Sequence, residues 1–256
     1  MMKKILLAHG FLGFGSSQID FGINYFNGIK TLLEAEGLDV FAPSVSPLAS
    51  LEVRSAQLAA RISEHWQDDS EICVIAHSMG GLDTRRVIHL HPVGRRITKL
   101  IAIATPHFGS RVADAVLGKN SEILHAIPEP LLANLQKATG ALNDLTTRQV
   151  LQDPDCHWVK YMEVACTIKK QGLFESSLFF KLPQAIESAY GPNDGVVTYS
   201  SAARGRTPIA EWDIDHCEAI GWPSGYAGLE TLAAAVNPPR DHLARYKKLI
   251  EQFIND

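Results

Sequence analysis

Residues 74–81 of the chain read VIAHSMGG, and no other stretch limits the fold as tightly. The apolar run Ile72 to Ala76 ends at a serine held between His77 and Met79 and closed by Gly80 and Gly81. From Gly80 onward, Leu82, Arg85, Val87 and Ile88 continue at helical spacing. Ser78 therefore falls at a sharp strand-to-helix turn. Small residues at Ala76 and Gly80 suit that turn, because bulk there would collide with it. One reading is an ordinary glycine-softened turn. The other is a nucleophile whose oxygen projects above the sheet edge, beside helix N-terminal amides that can stabilise an oxyanion. The motif has the form A-x-S-x-G, with alanine where glycine is common.

The surroundings of the turn indicate an α/β architecture. KKILLA, LDVFAP, EICVIA and ITKLIAIAT read as buried strands. Between them, Tyr25, Phe26, Ile29, Leu32 and Leu33 recur at helical spacing, as do Leu51, Leu58, Ile62 and Trp66. This alternation predicts a mostly parallel central sheet with helices on both faces. The length of 256 residues suits a single domain over 1–256, and no repeat or linker divides it. The C-terminal stretch RDHLARYKKLIEQFIND predicts an amphipathic helix with Leu243, Tyr246, Leu249, Ile250 and Phe253 on one side. Residues 111–150 break the rhythm: helical, interrupted at Pro128 and Pro130, and without a strand. They read as an insertion over the strand ends, although simple core packing is the more common role of apolar helix residues. Phe174, Leu178, Phe179 and Phe180 form a second apolar group, which either lines a groove or packs beneath the insertion.

A nucleophilic serine needs a base, an acid that orients the base, and oxyanion donors. Downstream lie GPNDGVV and EWDIDHCEAIGW, so that Asp194 and His216 complete the order serine, acid, histidine. His216 is preferred to His242, read as a surface residue, and to His89 and His91, which close the helix after the serine. Asp194 is preferred to Asp213 and Asp215, since immediate neighbours of a histidine rarely reach its Nδ1. The loop AHGFLGFG follows the first strand, and Gly10 there can turn the backbone inward. The expected oxyanion donors are the amides of Phe11 and Met79. A dinucleotide loop is the competing reading, but G-x-G-x-x-G is absent. Residues expected to touch substrate are His9, Gly10, Leu12, His77 and Phe179.

Composition narrows the partners. A net charge of −4, with no long basic or acidic run, supports neither nucleic-acid nor polybasic membrane binding. No stretch is apolar for long enough to predict an integral membrane segment. The apolar part of MMKKILLAHG breaks at His9-Gly10, too early for a secretory signal, so the expectation is cytoplasmic, with signal-less secretion left open. Cys73, Cys156, Cys166 and Cys217 form no C-x-x-C pair; core thiols are expected at Cys73 and Cys166, and a single Cys156–Cys217 bridge is left open. Nothing in the sequence sets an oligomeric state.

The segments HGFLGF, LEVRSAQL, AHSMGGLDTR, TPHFGS, ALNDLTT, NDGVV and DH occur in order through most of residues 5–220. In this the chain resembles the bacterial triacylglycerol lipases of the α/β-hydrolase fold. The resemblance implies Ser78 as nucleophile, Asp194 as acid, His216 as base and Phe11 with Met79 as oxyanion donors. It also implies that Arg54 is a buried arginine bracing the oxyanion loop and that 111–150 is a mobile lid over an acyl groove. Relatives often hold calcium near the histidine; Glu218 stands where they usually have aspartate, and Glu175 is the other acidic residue considered. The chemistry requires no cofactor, and calcium is retained only as an option. The expected activity is hydrolysis of medium- to long-chain lipid esters, with a lipid–water interface as partner surface. A short-chain carboxylesterase, a phospholipase-type acyl hydrolase and a non-catalytic binding protein are the alternatives.

Overall fold

The computed structural model describes residues 2–11, 25–127, 129–136, 139–148, 150, 153–168, 181–222 and 242–254. Six strands form one sheet: β1 (Lys4–Ala8), β2 (Asp39–Phe41), β3 (Ile72–His77), β4 (Ile97–Ile103), β5 (Lys160–Thr167) and β6 (Ala210–Asp213). Every pairing is parallel, and the order is β2-β1-β3-β4-β5-β6. The chain runs from β1 to one edge and then returns past it, so the order reverses between β1 and β3. Open parallel sheets bind ligands beyond the strand ends at such a reversal.

Alternate residues of the central strands feed two separate cores. Ile5, Leu7, Cys73, Ile75, Ile101 and Ile103 pack against α1 (Ile29–Ala35) and α9 (His242–Leu249). Leu6, Ala8, Val74, Ala76, Leu100 and Ala102 pack against α2 (Leu51–His65) and α3 (Met79–Leu90). Burial on both faces explains why these strands read as unbroken apolar runs. Each fully buried leucine, isoleucine or valine among them contributes roughly 1.5–3 kcal/mol, so the parallel sheet is the rigid platform beneath the turn at Ser78.

Two sequence expectations are corrected here. Tyr25 and Phe26 precede α1, whose start at Ile29 follows Gly28 at φ +70°. On α9, Tyr246 and Leu249 are buried, but Leu243 is exposed.

Within 111–150 the described residues form α4 (Arg111–Val116), α5 (Glu129–Leu135) and α6 (Thr139–Asp144), with no strand. Pro130 falls in the first turn of α5, where its missing N–H costs no helical bond. Their apolar residues join Leu51, Met79, Leu82 and, from α7 (Lys181–Tyr190), Leu182 and Ile186 in a third core. That core lies on the same end of the sheet as Ser78. No helix among the described residues is long and apolar enough to cross a membrane.

Candidate active site

Ser78 is the hinge between β3 and α3, at φ 55° and ψ −130°. A non-glycine residue rarely adopts this conformation, which costs on the order of 1–3 kcal/mol and persists only where its surroundings enforce it. The enforcement is visible. The Ser78 N–H donates to Ile103 O at 2.9 Å, and the Thr105 hydroxyl donates to Ser78 O at 3.0 Å. The two glycines of the motif let other segments approach. A Cβ on Gly80 would stand 2.3 Å from Ala8 O, and one on Gly81 2.1 Å from Thr105 Oγ1. Gly80 thus lets α3 close on the end of β1, and Gly81 admits the threonine that holds Ser78.

The carboxylate and imidazole expected beside Ser78 arrive from two loops beyond β5 and β6. Ile168, just after β5, donates its N–H to Asn193 O at 3.0 Å, so Asp194 lies directly beyond that strand. Gly195 at φ +95° makes the tight turn. Asp194 Oδ1 accepts the amides of Val196 and Val197, at 2.9 and 2.7 Å. Its other oxygen, Oδ2, lies 2.7 Å from His216 Nδ1. A second link, His216 N–H to Asp194 O at 3.0 Å, fixes the two backbones to each other. On the far side of the imidazole, His216 Nε2 is 2.9 Å from Ser78 Oγ. With Asp194 ionised, Nδ1–H is the donor to the carboxylate and Nε2 is left to accept the serine proton. Burial works to lower the His216 pKa, but the charge and hydrogen bond of Asp194, with the charge of Asp215, outweigh it and raise the pKa.

Asp215 is turned to another task. Its Oδ1 accepts the amides of Cys217 and Glu218, both at 2.8 Å, capping the short 3₁₀ turn Glu218–Ile220. Glu218 returns a bond through Oε2 to Asp215 N–H at 3.0 Å. Among the described residues no group of three His, Cys, Asp or Glu side chains assembles a metal site. Glu175 lies outside them.

The loop after β1 is clamped beside Ser78. Arg54, fully buried on α2, donates Nη2 to His9 O at 2.9 Å and to Gly10 O at 3.3 Å. Nη2 also donates to Asp83 Oδ2 on α3 at 2.6 Å, Nε donates to the same carboxylate at 2.9 Å, and Nη1 donates to Ser46 O. His9 has a fixed tautomer: Nδ1 lies 2.8 Å from Gly10 O, while Nε2 accepts Val45 N–H at 3.0 Å. Burial, then Arg54, lower the His9 pKa to about 3, which keeps this acceptor nitrogen bare. Met79 opens α3, where the first amides have no intrahelical acceptor.

A family profile described as a PGAP1-like alpha/beta domain matches residues 45–152. Triacylglycerol lipase 2 of Saccharomyces cerevisiae is 30% identical over 210 residues, covering 78% of this chain and 63% of that protein. A triacylglycerol lipase of Vibrio cholerae is 32% identical over 143 residues, covering 55% and 44%. Over most of its length the chain is thus similar to curated triacylglycerol lipases. It spans less than two thirds of either curated lipase. The Staphylococcus hyicus lipase structure superposes with a TM-score of 0.69 at 17% identity, over 98% of this chain and 95% of that one. That likeness is one of fold, and the fold of the chain is accordingly the α/β-hydrolase fold.

Of the remaining sequence expectations, Leu12 and Phe179 lie outside the described residues, with Phe174, Leu178 and Phe180. Phe11 is partly buried against the third core. His77 is buried and packs 4.6 Å from the His216 ring, centre to centre. His242, expected at the surface, is buried, with Nε2 2.7 Å from Asn27 O. The bridge left open between Cys156 and Cys217 is absent: all four cysteines are free thiols. Sequence reasoning missed three residues that shape the site. Thr105 stands in the sequence only as the first residue of TPHFGS, Asp83 reads as an ordinary polar helix position, and Tyr25 reads as a helix-core position.

Proposed function

We propose that the chain is a serine hydrolase that cleaves carboxylic esters of medium- to long-chain acyl groups by way of an acyl-enzyme. The observation that carries this reading is the continuous chain from Ser78 Oγ to His216 Nε2, 2.9 Å, and from His216 Nδ1 to Asp194 Oδ2, 2.7 Å, mounted on a strained turn.

In the first half-reaction the Ser78 hydroxyl proton passes to His216 Nε2 as Oγ attacks the ester carbonyl carbon. The carbonyl π electrons move onto oxygen, and the amides of Phe11 and Met79 donate to that oxyanion. Each such donor is worth roughly 3 kcal/mol of transition-state stabilisation. Collapse expels the alcohol oxygen, which takes the proton from Nε2. In the second half-reaction His216 deprotonates a water that attacks the acyl-serine, and the acid leaves as Ser78 regains its proton. Asp194 holds the imidazole in the Nδ1–H tautomer and stabilises its cationic form.

The preference for longer acyl chains rests on the apolar core that contains Met79 and borders Phe11, so both expected oxyanion donors adjoin apolar packing. On this reading the helices of 111–150 cover an acyl groove, and a lipid–water interface is the natural partner surface. Curated relatives in Saccharomyces cerevisiae and Vibrio cholerae carry the name triacylglycerol lipase, which supports the same substrate class.

The test is hydrolysis of p-nitrophenyl esters from acetyl to palmitoyl, and of an emulsified triglyceride, by the wild type and Ser78→Ala. Activity extending to long chains and emulsion, and lost in the variant, is the expected result. Activity confined to short chains would replace the lipase reading with a carboxylesterase. Wild-type and variant rates that coincide would discard Ser78 as the nucleophile.

A further inference from the structure

The loop that carries Phe11 is defined by two successive peptide planes, and the groups holding them come from different places. The plane joining His9 to Gly10 has its carbonyl on Arg54, at 2.9 Å, and its N–H on the hydroxyl of Tyr25, at 3.0 Å. The plane joining Gly10 to Phe11 has its carbonyl on Arg54 and beside His9 Nδ1. A trans peptide points its N–H opposite its C=O, so the Phe11 amide faces away from the arginine. The angle between the two planes decides where that amide aims. Tyr25 is the group that fixes the N–H end of the first plane.

The same hydroxyl reaches the turn of the nucleophile. Tyr25 Oη lies 2.7 Å from Nδ1 of His77, the residue before Ser78. His77 sits neutral, because burial, then the neighbouring His216, hold its pKa well below the ordinary value. Its Nε2 is buried with no well-formed hydrogen bond, so the contact with Tyr25 is the ring's defined polar anchor. Space is tight around this junction: a Cβ on Gly10 would meet Ser78 Cβ and Tyr25 Oη, each at 2.7 Å. The backbone of Tyr25 is itself tied to the segment after His216, since Trp222 Nε1 donates to Tyr25 O at 3.0 Å. Asn27 adds two bonds to that segment, its N–H to Ile220 O and its side-chain amide to Gly221 O.

The geometry points to Tyr25 as a positioning residue of the reaction: its hydroxyl, shared between Gly10 N–H and His77 Nδ1, sets the aim of the Phe11 amide at the oxyanion and locks that amide to the Ser78 turn. The inference rests on the ester-hydrolase reading above and on Phe11 as a donor. Tyr25 acts through Gly10 and His77. Its hydroxyl matters most in the tetrahedral state, when the oxyanion is formed, and little when substrate first binds.

Tyr25→Phe separates these states. With p-nitrophenyl butyrate the variant is expected to lose at least tenfold in kcat with KM within twofold. The inhibition constant of an alkyl boronic acid, which forms a tetrahedral adduct on Ser78, should rise by a similar factor. Should Tyr25→Phe fail to fold, 3,5-difluorotyrosine at position 25 preserves the ring and weakens the oxygen as an acceptor. There a several-fold fall in kcat at constant KM is the expected result. A change confined to KM, or kcat and boronate inhibition both within twofold of wild type, overturns the inference for either variant. A wild type inert to esters and boronate overturns the ester-hydrolase reading and this inference together, whereas an active wild type matched by the variant overturns this inference alone.

Discussion

Gly10 and Ser78 approach so closely that any side chain at position 10 would stand 2.7 Å from Ser78 Cβ. The same added carbon would meet Tyr25 Oη at 2.7 Å and the His77 carbonyl at 3.1 Å, and backbone cannot rotate aside as a flexible side chain can. Gly10→Ala therefore has to push the loop away from the nucleophile. A displacement of about 1 Å at a reacting group can cost about 100-fold, and overpacking of this kind costs roughly 1–3 kcal/mol of stability. Steady-state kinetics beside a urea melt should record both losses. Full activity in a variant that folds would mean the loop does not serve the oxyanion.

The pH dependence of kcat/KM should be set by His216. It works as a base only when unprotonated, so activity rises with pH through its pKa. That pKa is raised, so the ascending limb should lie above the ordinary histidine range. His9, at about 3, and His77, held well below its usual value, are neutral throughout and add no limb near neutrality. Asp194→Asn removes the charge and hydrogen bond that chiefly raise the His216 pKa, leaving burial opposed by Asp215 alone. The limb should then move to lower pH while the maximal rate falls by about 10⁴. A limb that stays in place would show that Asp194 does not govern the base.

Much of this arrangement was legible in the sequence, for reasons that differ by residue. The central strands were readable because burial on both faces leaves no polar alternation to obscure them. The meeting of Ser78, Asp194 and His216 was readable because a strand-to-helix turn flanked by small residues marks Ser78, and the carboxylate and imidazole follow it in order. Tyr25 was not, because its spacing to Ile29 and Leu32 imitates a helix face that the left-handed Gly28 interrupts. His242 sits on a helix rich in charge, yet Gly221 leaves room for its ring, as a Cβ there would stand 2.5 Å from Nε2. Asp83 was hidden because its partner, Arg54, is 29 residues upstream on another helix. Strand β6 has a single buried residue, Trp212, and lies at the sheet edge, so its four residues carry little pattern.

Arg54 and Asp83 bind folding to catalysis, and the two contributions should be separable. The pair is fully buried, with Nη2 2.6 Å from Oδ2. Burial acts to raise the Asp83 pKa while Arg54 acts to lower it, so removing the arginine strands a carboxylate in the core. Arg54→Ala should cost about 3–5 kcal/mol, as breaking one side of a buried pair does. Replacing both partners, Arg54→Met with Asp83→Leu, removes the stranded charge and should recover much of that loss, because apolar substitutes for buried pairs are often neutral or better. Activity should not recover, since the carbonyls of His9 and Gly10 still lack the guanidinium that orients their planes. Urea melts and ester hydrolysis on the single and double variants distinguish the roles. A double variant that regains both stability and rate would show that Arg54 serves the fold alone and that the loop holds its shape without it.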